Sequence, residues 1–410
     1  MDTVTSERLM PSSGDAAFAV RVGQTDVLRT SRRADAVGNV DACGREEPAD
    51  TVTISMIMPT VSFTGTFAAC GRRAVSLLEQ THVPAELIVV FDGIAPPTPA
   101  WLNRPGVTVV STGARSGPAV ARNLAANSAR GGILFFVDAD VELGSEAIER
   151  IAATFEADPD LAGMFGAYDD EPAAEGVVSQ FRNLLHHHTH VAHPGRADTF
   201  WSGCGAIRSA VFADVGGFDE AYVFPSVEDI ELGMRIAAQR GRIVLDPGLR
   251  CKHLKQWTFS SMVVADIFYR AKPWTHLIME THRLPATLNI DWQGRLCGVL
   301  SLALAASLAC TLVVPAAAWT AVAAAAGLLI TNLPFYSLCL RKRGIGFATS
   351  SFALHCLYFL YSTITFGVVV LSETIRGTCR SSACLSRPSK APVPEQESTT
   401  SVALTSPIAR

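Results

Sequence analysis

The chain has 410 residues, of which 49% are apolar and 18% are charged, and its formal net charge is −4. These values exclude a fully disordered chain, because the charged fraction lies below the ~25% of ordinary soluble domains and apolar residues are abundant. The slightly acidic balance also excludes the basic field of nucleic-acid-binding proteins, so we expect no nucleic-acid partner.

The first 50 residues are polar and mixed in charge, and no helical or strand period persists in them, which predicts a flexible leader. Met1, Asp2 and Thr3 do not open the basic-then-apolar pattern of a secretory signal, so we expect the domain that follows to stay in the cytoplasm. The ten cysteines lack paired C-x-x-C spacing, which favours reduced thiols over a zinc ribbon or a disulfide framework.

Short apolar runs alternate with helical periods from residue 52 onward. Strands are predicted at 52–58, 87–91, Val107–Ser111, Ile133–Val137 and 242–246, and helices at Gly65–Gln80, 117–129, 146–155, 177–190, 209–215 and 229–240. This alternation is typical of a parallel α/β sheet, in which ligands bind at the carboxyl ends of the strands. That edge should carry Asp92, after the second strand, and Asp138 and Asp140, after the fourth.

Asp138 and Asp140 stand one residue apart at the end of an apolar strand. Two carboxylates in that position can converge on one hard divalent cation, and Mg²⁺ and Mn²⁺ favour such oxygen ligands. A solvated acidic turn would explain the same two residues.

Glu228 and Asp229 open an amphipathic helix. The positive end of a helix keeps a carboxylate ionised, and an ionised carboxylate in a cleft can take a proton from a sugar or lipid hydroxyl. Capping of the helix is the simpler interpretation, because Asp is a favoured capping residue.

A histidine cluster, His186, His187, His188, His190 and His193, follows in the predicted helix 177–190 and just beyond it. His186 and His190 are four residues apart and could share a helix face as metal ligands do. Because no third ligand is evident nearby, we favour a contact with the acceptor substrate or a local surface role over zinc binding.

Long apolar segments fill the C-terminal part of the chain. Residues 296–340 contain no Asp, Glu, Lys or Arg, and one helix of that length would be ~67 Å long, about twice the ~30 Å hydrocarbon core of a membrane. We therefore predict a helical hairpin with its turn near Pro315, and a third span after the basic residues 341–343. The predicted spans are 296–314, 317–338 and 350–371, preceded by an amphipathic interfacial segment at 258–290 and followed by a disordered tail at 373–410.

Five segments, taken in chain order, together resemble the inverting glycosyltransferase family 2, which has the GT-A fold. They are Ser76-Leu-Leu-Glu-Gln-Thr81 with Glu86-Leu-Ile-Val-Val-Phe-Asp-Gly93, Gly117-Pro-Ala-Val-Ala-Arg-Asn123, Phe135-Phe-Val-Asp-Ala-Asp140, Gly216-Gly-Phe-Asp-Glu220, and Glu228-Asp229 with Leu232. The resemblance covers residues 52–253, about half of the chain. It implies an α/β domain with a Rossmann-like GT-A fold over 51–257, followed by C-terminal transmembrane helices.

The resemblance implies a nucleotide-sugar donor and a divalent cofactor, Mg²⁺ or Mn²⁺. The residues it assigns to the donor are Pro59, Thr60 and Asp92 for the base and ribose, Arg122 and Asn123 in the GxxxARN-like segment, and Asp138. The residues it assigns to the metal are Asp138, Asp140 and His253. A structural role for a lone histidine stays open for His253, and base recognition rests on Asp92 alone, since the family usually has two adjacent aspartates there.

The resemblance places the catalytic base at Asp229, with Glu228 beside it in the catalytic pair. It also implies an acceptor-side loop at 200–206, with Trp201, Gly203 and Gly205, where glycines allow close approach of the backbone. A packed turn around a core tryptophan is the alternative for that loop.

The processive synthases of the family carry a QxxRW motif, which this chain lacks: Arg270 and Trp274 have the wrong spacing. We therefore expect the addition of one sugar or a few to an acceptor that is lipid-linked or a glycan of the cell envelope. Nucleotide sugars are made in the cytosol, so the domain should face the cytoplasm from a multi-pass position in the inner membrane. The basic cluster 341–343 agrees with that orientation, whereas Arg376 and Arg380 conflict with it.

Two other classes of function compete with this interpretation. A non-catalytic nucleotide-sugar sensor or membrane scaffold would share the fold, but the chain keeps both carboxylates of its Asp138–Asp140 motif and Asp229. A nucleotidyltransferase would need basic residues beside a Gly-rich opening loop, and residues 52–71 lack that arrangement.

Overall fold

A computed structural model describes residues 53–282 and 291–385, with side chains up to residue 376 in the second range. The predicted leader, 1–50, and the end of the predicted tail lie outside the described residues. The strands are β1 (Ile54–Thr60), β2 (Ala85–Phe91), β3 (Val107–Ser111), β4 (Ile133–Val137), β5 (Val141–Leu143), β6 (Leu161–Tyr168), β7 (Gly195–Ala197), β8 (Cys204–Arg208) and β9 (Arg242–His253).

Helices alternate with these strands along the chain, as the sequence predicts. They are α1 (Gly65–Gln80), α2 (Pro118–Ser128), α3 (Ala147–Ala157), α4 (Val177–Ala192), α5 (Ser209–Asp214) and α6 (Glu228–Ala238). The predicted bounds of α1, β3 and β4 agree with the structure, and the other predicted helices differ from it by a few residues.

The nine described strands form one sheet in the order β3-β2-β1-β4-β8-β6-β9-β5, with β7 also paired to β9. Strands β1 to β4 are parallel, whereas β8 runs antiparallel to both β4 and β6, and β5 and β7 run antiparallel to β9. The fold class, α/β, is confirmed, but the expectation of a wholly parallel sheet is wrong. The sheet is mixed because β8, which enters it from the loop after β7, runs antiparallel to both of its neighbours.

Strand β1 does not end before Pro59 as predicted but continues through Pro59 to Thr60. It pairs with β4 only as far as Ile57, and beyond that residue it pairs with β2 alone. Pro59 therefore occupies a position with a strand neighbour on one side only, where proline is tolerated within a sheet.

Strand β4 lies in the middle of the core, with all five of its residues buried, as its apolar run predicts. Phe135 packs into the apolar layer with α1 and α3, and Phe136 packs into the layer on the other face, against Phe212 and Phe218. Burial on both faces fixes the end of β4, and hence the position of Asp138 directly after it.

The predicted interfacial segment is helical where it is described, as α7 (Phe259–Asp266), a π-helical turn (Ile267–Ala271) and α8 (Lys272–Thr281). Apolar helices follow as α9 (Trp292–Cys310), α10 (Ala317–Thr331) and α11 (Leu333–Leu385). The turn between α9 and α10 contains Pro315, as predicted. The second predicted span, 317–338, is divided at Asn332, and α11 continues into the first part of the predicted tail.

Helix α11 is broken within its length at Gly344, which has φ +78° and ψ 179°. Glycine adopts a positive φ without the steric cost that a Cβ brings. The break follows the basic residues 341–343 directly, so it separates the short first part of α11 from its long apolar part.

Two of the described helices are long and apolar enough to cross a membrane: α9, and the part of α11 up to Arg376. Large apolar side chains of this region are exposed, among them Leu312, Val313 and Trp319. Helix α10 has the same apolar character but only 15 residues. Exposed apolar helices of this kind mark a contact with a membrane or with another protein.

Candidate active site

A cavity of about 910 Å³ opens at the carboxyl end of β4. Of the residues selected from the sequence, those that line it are Arg122, Asp138, Asp140, Trp201, Glu228, Asp229 and His253, together with His186 and His190 of the histidine cluster. The fold thus brings the Asp138–Asp140 motif and the Glu228–Asp229 pair, which are about 90 residues apart in the sequence, to one cavity.

Arg122 links these two carboxylate pairs. Its Nη2 donates to Oδ1 of Asp138 at 2.7 Å, and its Nη1 donates to Oε1 of Glu228 at 2.9 Å. The guanidinium is buried and lies over the ring of Phe218 at 5.3 Å. Burial by itself would lower the pKa of Arg122. The nearby carboxylates raise the pKa by a larger amount, so it lies above its ordinary value and the side chain stays charged. One buried cation therefore sets the separation between the strand-end motif and the start of α6.

Asp229 is held in this cavity as a carboxylate suited to proton transfer. Its Oδ2 accepts from the backbone N–H of Ser202 at 3.1 Å, and its Oδ1 accepts from that of Ile230 at 2.8 Å. Burial and the negative charge of Glu228 raise the pKa of Asp229 to about 7, against the opposing effects of the Ser202 hydrogen bond and Arg122. Such a pKa is matched to general-base catalysis near neutral pH.

Capping of α6, the simpler interpretation of these acids, does not describe the structure. The residue before the helix is Val227, and no side chain caps it. Glu228 accepts from the backbone N–H of Ser226 at 2.8 Å through one carboxylate oxygen and from Arg122 through the other. Neither acid is therefore the capping residue of α6, and both line the cavity.

Asp140, the second aspartate of the motif, contacts His253, whereas Asp138 contacts Arg122. Oδ2 of Asp140 is 3.5 Å from Nε2 of His253, a residue at the end of β9, which pairs with Val141 of β5. Burial raises the pKa of Asp140, but the hydrogen bond and charge of His253 outweigh it and leave the pKa below its ordinary value.

The donor set formed by Asp138, Asp140 and His253 fits Mg²⁺ or Mn²⁺ in its chemistry, because both cations take carboxylate oxygens and Mn²⁺ also takes imidazole. Among the described residues, however, no group of three or more His, Cys, Asp or Glu side chains is placed so that it could hold a metal ion. A cation bound here would complete its shell with phosphate oxygens and water, as Mg²⁺ commonly does.

The remaining predicted donor residues lie outside the lining of this cavity. Pro59 and Thr60 end β1, and the backbone N–H of Asp92 donates to the carbonyl of Thr60 at 2.8 Å. The buried carboxylate of Asp92 already accepts from the backbone N–H groups of Ser116 (2.7 Å) and Gly117 (3.1 Å). Asp92 thus orders the loop before α2, and its contact with a base stays a prediction.

Asn123, Gly203 and Gly205 also lie outside the cavity lining. Both polar atoms of the Asn123 amide bind the main chain of Phe218, with Nδ2 donating to its carbonyl and Oδ1 accepting from its N–H, each at 2.9 Å. Gly205 lies in strand β8, not in a loop, and a Cβ there would come within 2.4 Å of the carbonyl oxygen of Trp201. The contacts of Asn123 and Gly205 are thus with other protein atoms. A direct substrate contact of Asn123, Gly203 or Gly205 remains a prediction.

Thr199 and Trp257 line the cavity but were not found from the sequence, although the structure carries a signal for them. Seven buried side-chain polar atoms lack a hydrogen-bond partner within the described part of the chain, and five of them belong to residues that line the cavity. These five residues are Arg122, His186, Thr199, Trp257 and Trp274. Buried polar groups are rarely left unpaired, so their concentration along one cavity sets this part of the described interior apart.

Two aspartates at a strand end of a mixed α/β sheet, with a buried carboxylate across one cavity, form the arrangement that the resemblance to glycosyltransferases predicts. Residues 69–216 match the model of the family described as glycosyl transferase family 2. The match covers 148 of the 410 residues, and over that part of its length the chain is similar to this family. No curated protein matches the sequence.

Solved structures resemble the chain at low identity. The mannosyltransferase PcManGT from Pyrobaculum calidifontis, in complex with GDP-Man and Mn²⁺, is 15% identical, with a TM-score of 0.46 over 76% of this chain and 86% of its own. GalNAc-T7, with UDP, GalNAc and Mn²⁺, is 17% identical, with a TM-score of 0.40 over 53% and 48%. TarS of S. aureus is 20% identical, with a TM-score of 0.37 over 50% and 37%.

Proposed function

We propose that this protein is a membrane-anchored, inverting glycosyltransferase that moves one sugar from a nucleotide-sugar donor to a hydroxyl group of a lipid-linked acceptor. The observation that carries the proposal is the continuity of the cavity. It has the Asp138–Asp140 motif and Asp229 at one end, and it continues to Tyr358, Phe359 and other residues of the apolar helix α11.

The donor end of the cavity is the edge of β4. The diphosphate of the donor would bind at Asp138, Asp140 and His253, with Arg122 keeping Asp138 in place through its 2.7 Å hydrogen bond. A divalent cation bound by these residues would offset the negative charge that develops on the leaving nucleoside diphosphate.

The catalytic step assigned to the protein is proton removal by Asp229. As the acceptor oxygen attacks the anomeric carbon, its proton passes to a carboxylate oxygen of Asp229, and the bond to the diphosphate breaks. Glu228 is tied to Arg122 and Ser226, which leaves Asp229 as the carboxylate free to act as base. With one base and a leaving group held on opposite sides, a single displacement inverts the anomeric configuration.

The acceptor end of the cavity supports a lipid. Phe359 and Phe366 of α11 and Gly298 of α9 line it, so an apolar chain could lie between these helices while a polar head group reaches Asp229. Apolar chains gain free energy from such burial, roughly 0.8 kcal/mol for each methylene group.

The position of the basic cluster supports a cytoplasmic catalytic domain. Lys342 forms an ion pair with Asp170 at 2.6 Å, and Arg343 donates to the side chain of Gln180 at 2.9 Å. The cluster thus lies on the same side of the apolar helices as the catalytic domain. Since basic loop residues are enriched on the cytoplasmic side of membranes, the domain would face the cytoplasm, where nucleotide sugars are available.

The test compares Asp229→Asn with Asp160→Asn, a matched change at an exposed aspartate. Detergent-solubilised protein is incubated with UDP-, GDP- and dTDP-sugars, Mn²⁺ and a membrane lipid extract, and glycolipid formation is measured. We expect Asp229→Asn to lose transfer on the order of 10²–10⁴-fold, the usual contribution of a general base, with the Kd for the nucleoside diphosphate nearly unchanged.

Two further readings of the same assay test the rest of the proposal. EDTA should abolish transfer, and excess Mn²⁺ should restore it; activity that survives EDTA contradicts the metal assignment. The anomeric proton coupling of the product should show inversion. Wild-type protein that binds a nucleotide sugar but transfers nothing with any acceptor would instead support the non-catalytic sensor.

A further inference from the structure

An aromatic wall connects the two ends of the reacting site. The ring of His253 stacks on Tyr168 with centroids 4.7 Å apart and planes 8° apart. Tyr168 in turn contacts His186 (4.3 Å) and the edge of Trp201 (4.9 Å). His186 also contacts Trp201 directly, at 4.8 Å. All four of these residues line the cavity.

The wall begins at the expected diphosphate site and ends at the base. His253 is the neighbour of Asp140, and Trp201 directly precedes Ser202, whose backbone N–H binds Asp229. In a single displacement the transferred sugar lies between the diphosphate and the base. In this arrangement the sugar ring would lie against the aromatic wall.

His186 differs from the neighbouring histidines of α4 in its hydrogen bonding. Nδ1 of His187 is 2.6 Å from the carbonyl oxygen of Tyr168, and Nδ1 of His190 is 2.9 Å from that of Gly166. These two rings are anchored to β6. Nδ1 of His186 is buried and has no hydrogen-bond partner among the described residues, although the residue lines the cavity.

The charge state of His186 restricts what it can bind. Burial first, and then the nearby His190 and His253, hold the pKa of His186 well below its ordinary value, so the ring is neutral. A neutral imidazole has one donor and one acceptor nitrogen, which suits a hydroxyl group. An anion gains little from a neutral imidazole.

We propose that His186 is a specificity-determining residue that hydrogen-bonds a hydroxyl group of the transferred sugar, whose ring lies against Tyr168 and Trp201. The inference rests on the proposed function, because it takes the donor and the base to lie as described there. The sequence predicts an acceptor contact or a surface role for the whole histidine cluster. The contact proposed instead is with the donor sugar, and it involves His186 only.

The test replaces the imidazole by a ring of similar size without nitrogen, in His186→Phe. The matched control is His188→Phe, since His188 lies two residues further along α4, contacts Phe335 at 5.6 Å and does not line the cavity. Donors are UDP-glucose, UDP-galactose and GDP-mannose, each with its monodeoxy analogues. Release of the nucleoside diphosphate gives kcat/KM, and calorimetry gives the Kd for UDP and GDP.

We expect His186→Phe to lower kcat/KM for the natural donor about 10- to 100-fold while the Kd for the nucleoside diphosphate stays unchanged. The monodeoxy donor that lacks the recognised hydroxyl should be poor for the wild type but no worse than its parent for His186→Phe. His188→Phe should retain the wild-type preference.

The inference is overturned if every monodeoxy donor suffers the same loss with His186→Phe as with the wild type. His186→Gln, which keeps a donor and an acceptor, should regain part of the discrimination, and it replaces the Phe variant if that protein does not fold. If the wild type turns over a nucleotide sugar and both variants keep the same donor preference, the role of His186 is refuted and the proposed function is not. A wild type that turns over no nucleotide sugar refutes the proposed function and this inference with it.

Discussion

Arg122 shows how a single residue organises the site. Its guanidinium is 5% exposed and bonds Asp138 on one side and Glu228, itself 5% exposed, on the other. A buried ion pair contributes little by itself, but removal of one partner leaves an uncompensated charge in the interior. In the proposed function, this double contact would keep Asp138 and Glu228 at a fixed separation.

We therefore expect Arg122→Met to lower the free energy of unfolding by about 3–5 kcal/mol, the usual cost of breaking a buried ion pair. In a protein of this size that corresponds to a fall in Tm of roughly 10 °C, measurable by thermal unfolding in detergent. The control is Arg104→Met, which removes an exposed pair with Glu79 at 3.7 Å and should leave Tm unchanged. Equal Tm values for the two variants would show that Arg122 does not hold the site together. Adding Glu228→Gln to Arg122→Met should recover part of the loss.

The pKa of Asp229, about 7, predicts a pH dependence of transfer. The base must be ionised to accept a proton, so kcat/KM should rise with pH, reach half its plateau near pH 7 and level off above it. Glu228→Gln removes the negative charge that raises this pKa and should move the half-maximum to lower pH. A rate profile that falls between pH 6 and 8, or one that the Glu228 variant shifts upward, contradicts the assignment of Asp229 as base.

At the scale of the elements, Gly166 allows two strands to approach closely. The register between β6 and β9 shifts between Phe165 and Ala167, where β9 advances from Leu245 to Arg250. A Cβ on Gly166 would lie 2.0 Å from the carbonyl oxygen of Leu249. The carbonyl oxygen of Gly166 lies 2.9 Å from Nδ1 of His190. The irregular pairing of β6 and β9 therefore helps to position α4 beside the cavity.

We expect Gly166→Ala to destabilise the domain by about 1–3 kcal/mol, because the added methyl group meets backbone that cannot move aside. Gly132→Ala is the matched control, since a Cβ there has no neighbour within 4 Å. The midpoint of urea unfolding, followed by tryptophan fluorescence, measures both. Equal midpoints for the two variants would mean that β6 and β9 separate at little cost.

The sequence predicts the elements whose residues carry a strong local pattern. Strands β1 to β4 are apolar runs, and α1 has a clear apolar face, so all were found within a few residues. Strands β6 and β8 were missed because each contains glycine, which weakens a strand pattern. Strand β9 extends past Pro247 and Gly248, two residues that locally signal its end.

The position of the candidate site in the fold was predictable to the same extent as the strands that carry it. Asp138 and Asp140 follow from the end of β4, and Glu228 and Asp229 from the start of α6. The link through Arg122 and the aromatic wall with Tyr168 depends on contacts between distant segments, which no local pattern encodes. Glycine contacts such as that of Gly205 with Trp201 likewise appear only once the chain is folded.

At the scale of the whole molecule, the catalytic domain and the apolar helices are packed together. Phe181 and Leu184 of α4 lie in one buried cluster with Met262 of α7 and Phe335 of α11. The sequence alone suggests that the α/β core ends before the apolar segments and does not need them. The structure shows that α4, a wall of the cavity, depends on α11 for part of its burial.

A buried polar link strengthens this connection. The carboxylate of Asp266 in α7 forms an ion pair with Arg182 of α4 and accepts a hydrogen bond from the hydroxyl of Tyr361 in α11 at 2.6 Å. Buried carboxylates require such partners to offset the loss of water. Three segments therefore meet at one carboxylate beside the acceptor end of the cavity.

A chain that ends at residue 290 should consequently behave differently from a self-contained soluble domain. It would expose Phe181 and Met262 and leave Asp266 without Tyr361, so we expect detergent-dependent solubility and loss of transfer to a lipid acceptor. The Kd for the nucleoside diphosphate should stay near that of the full chain, because Asp138, Asp140 and His253 lie in the retained part. Membranes that hold the full chain should release it with detergent but not with high salt or carbonate, because transfer of the exposed apolar side chains of α9 and α11 into water costs free energy. Release by carbonate alone would mean that these helices pack against another protein, and that the lipid-facing end of the cavity is a protein interface.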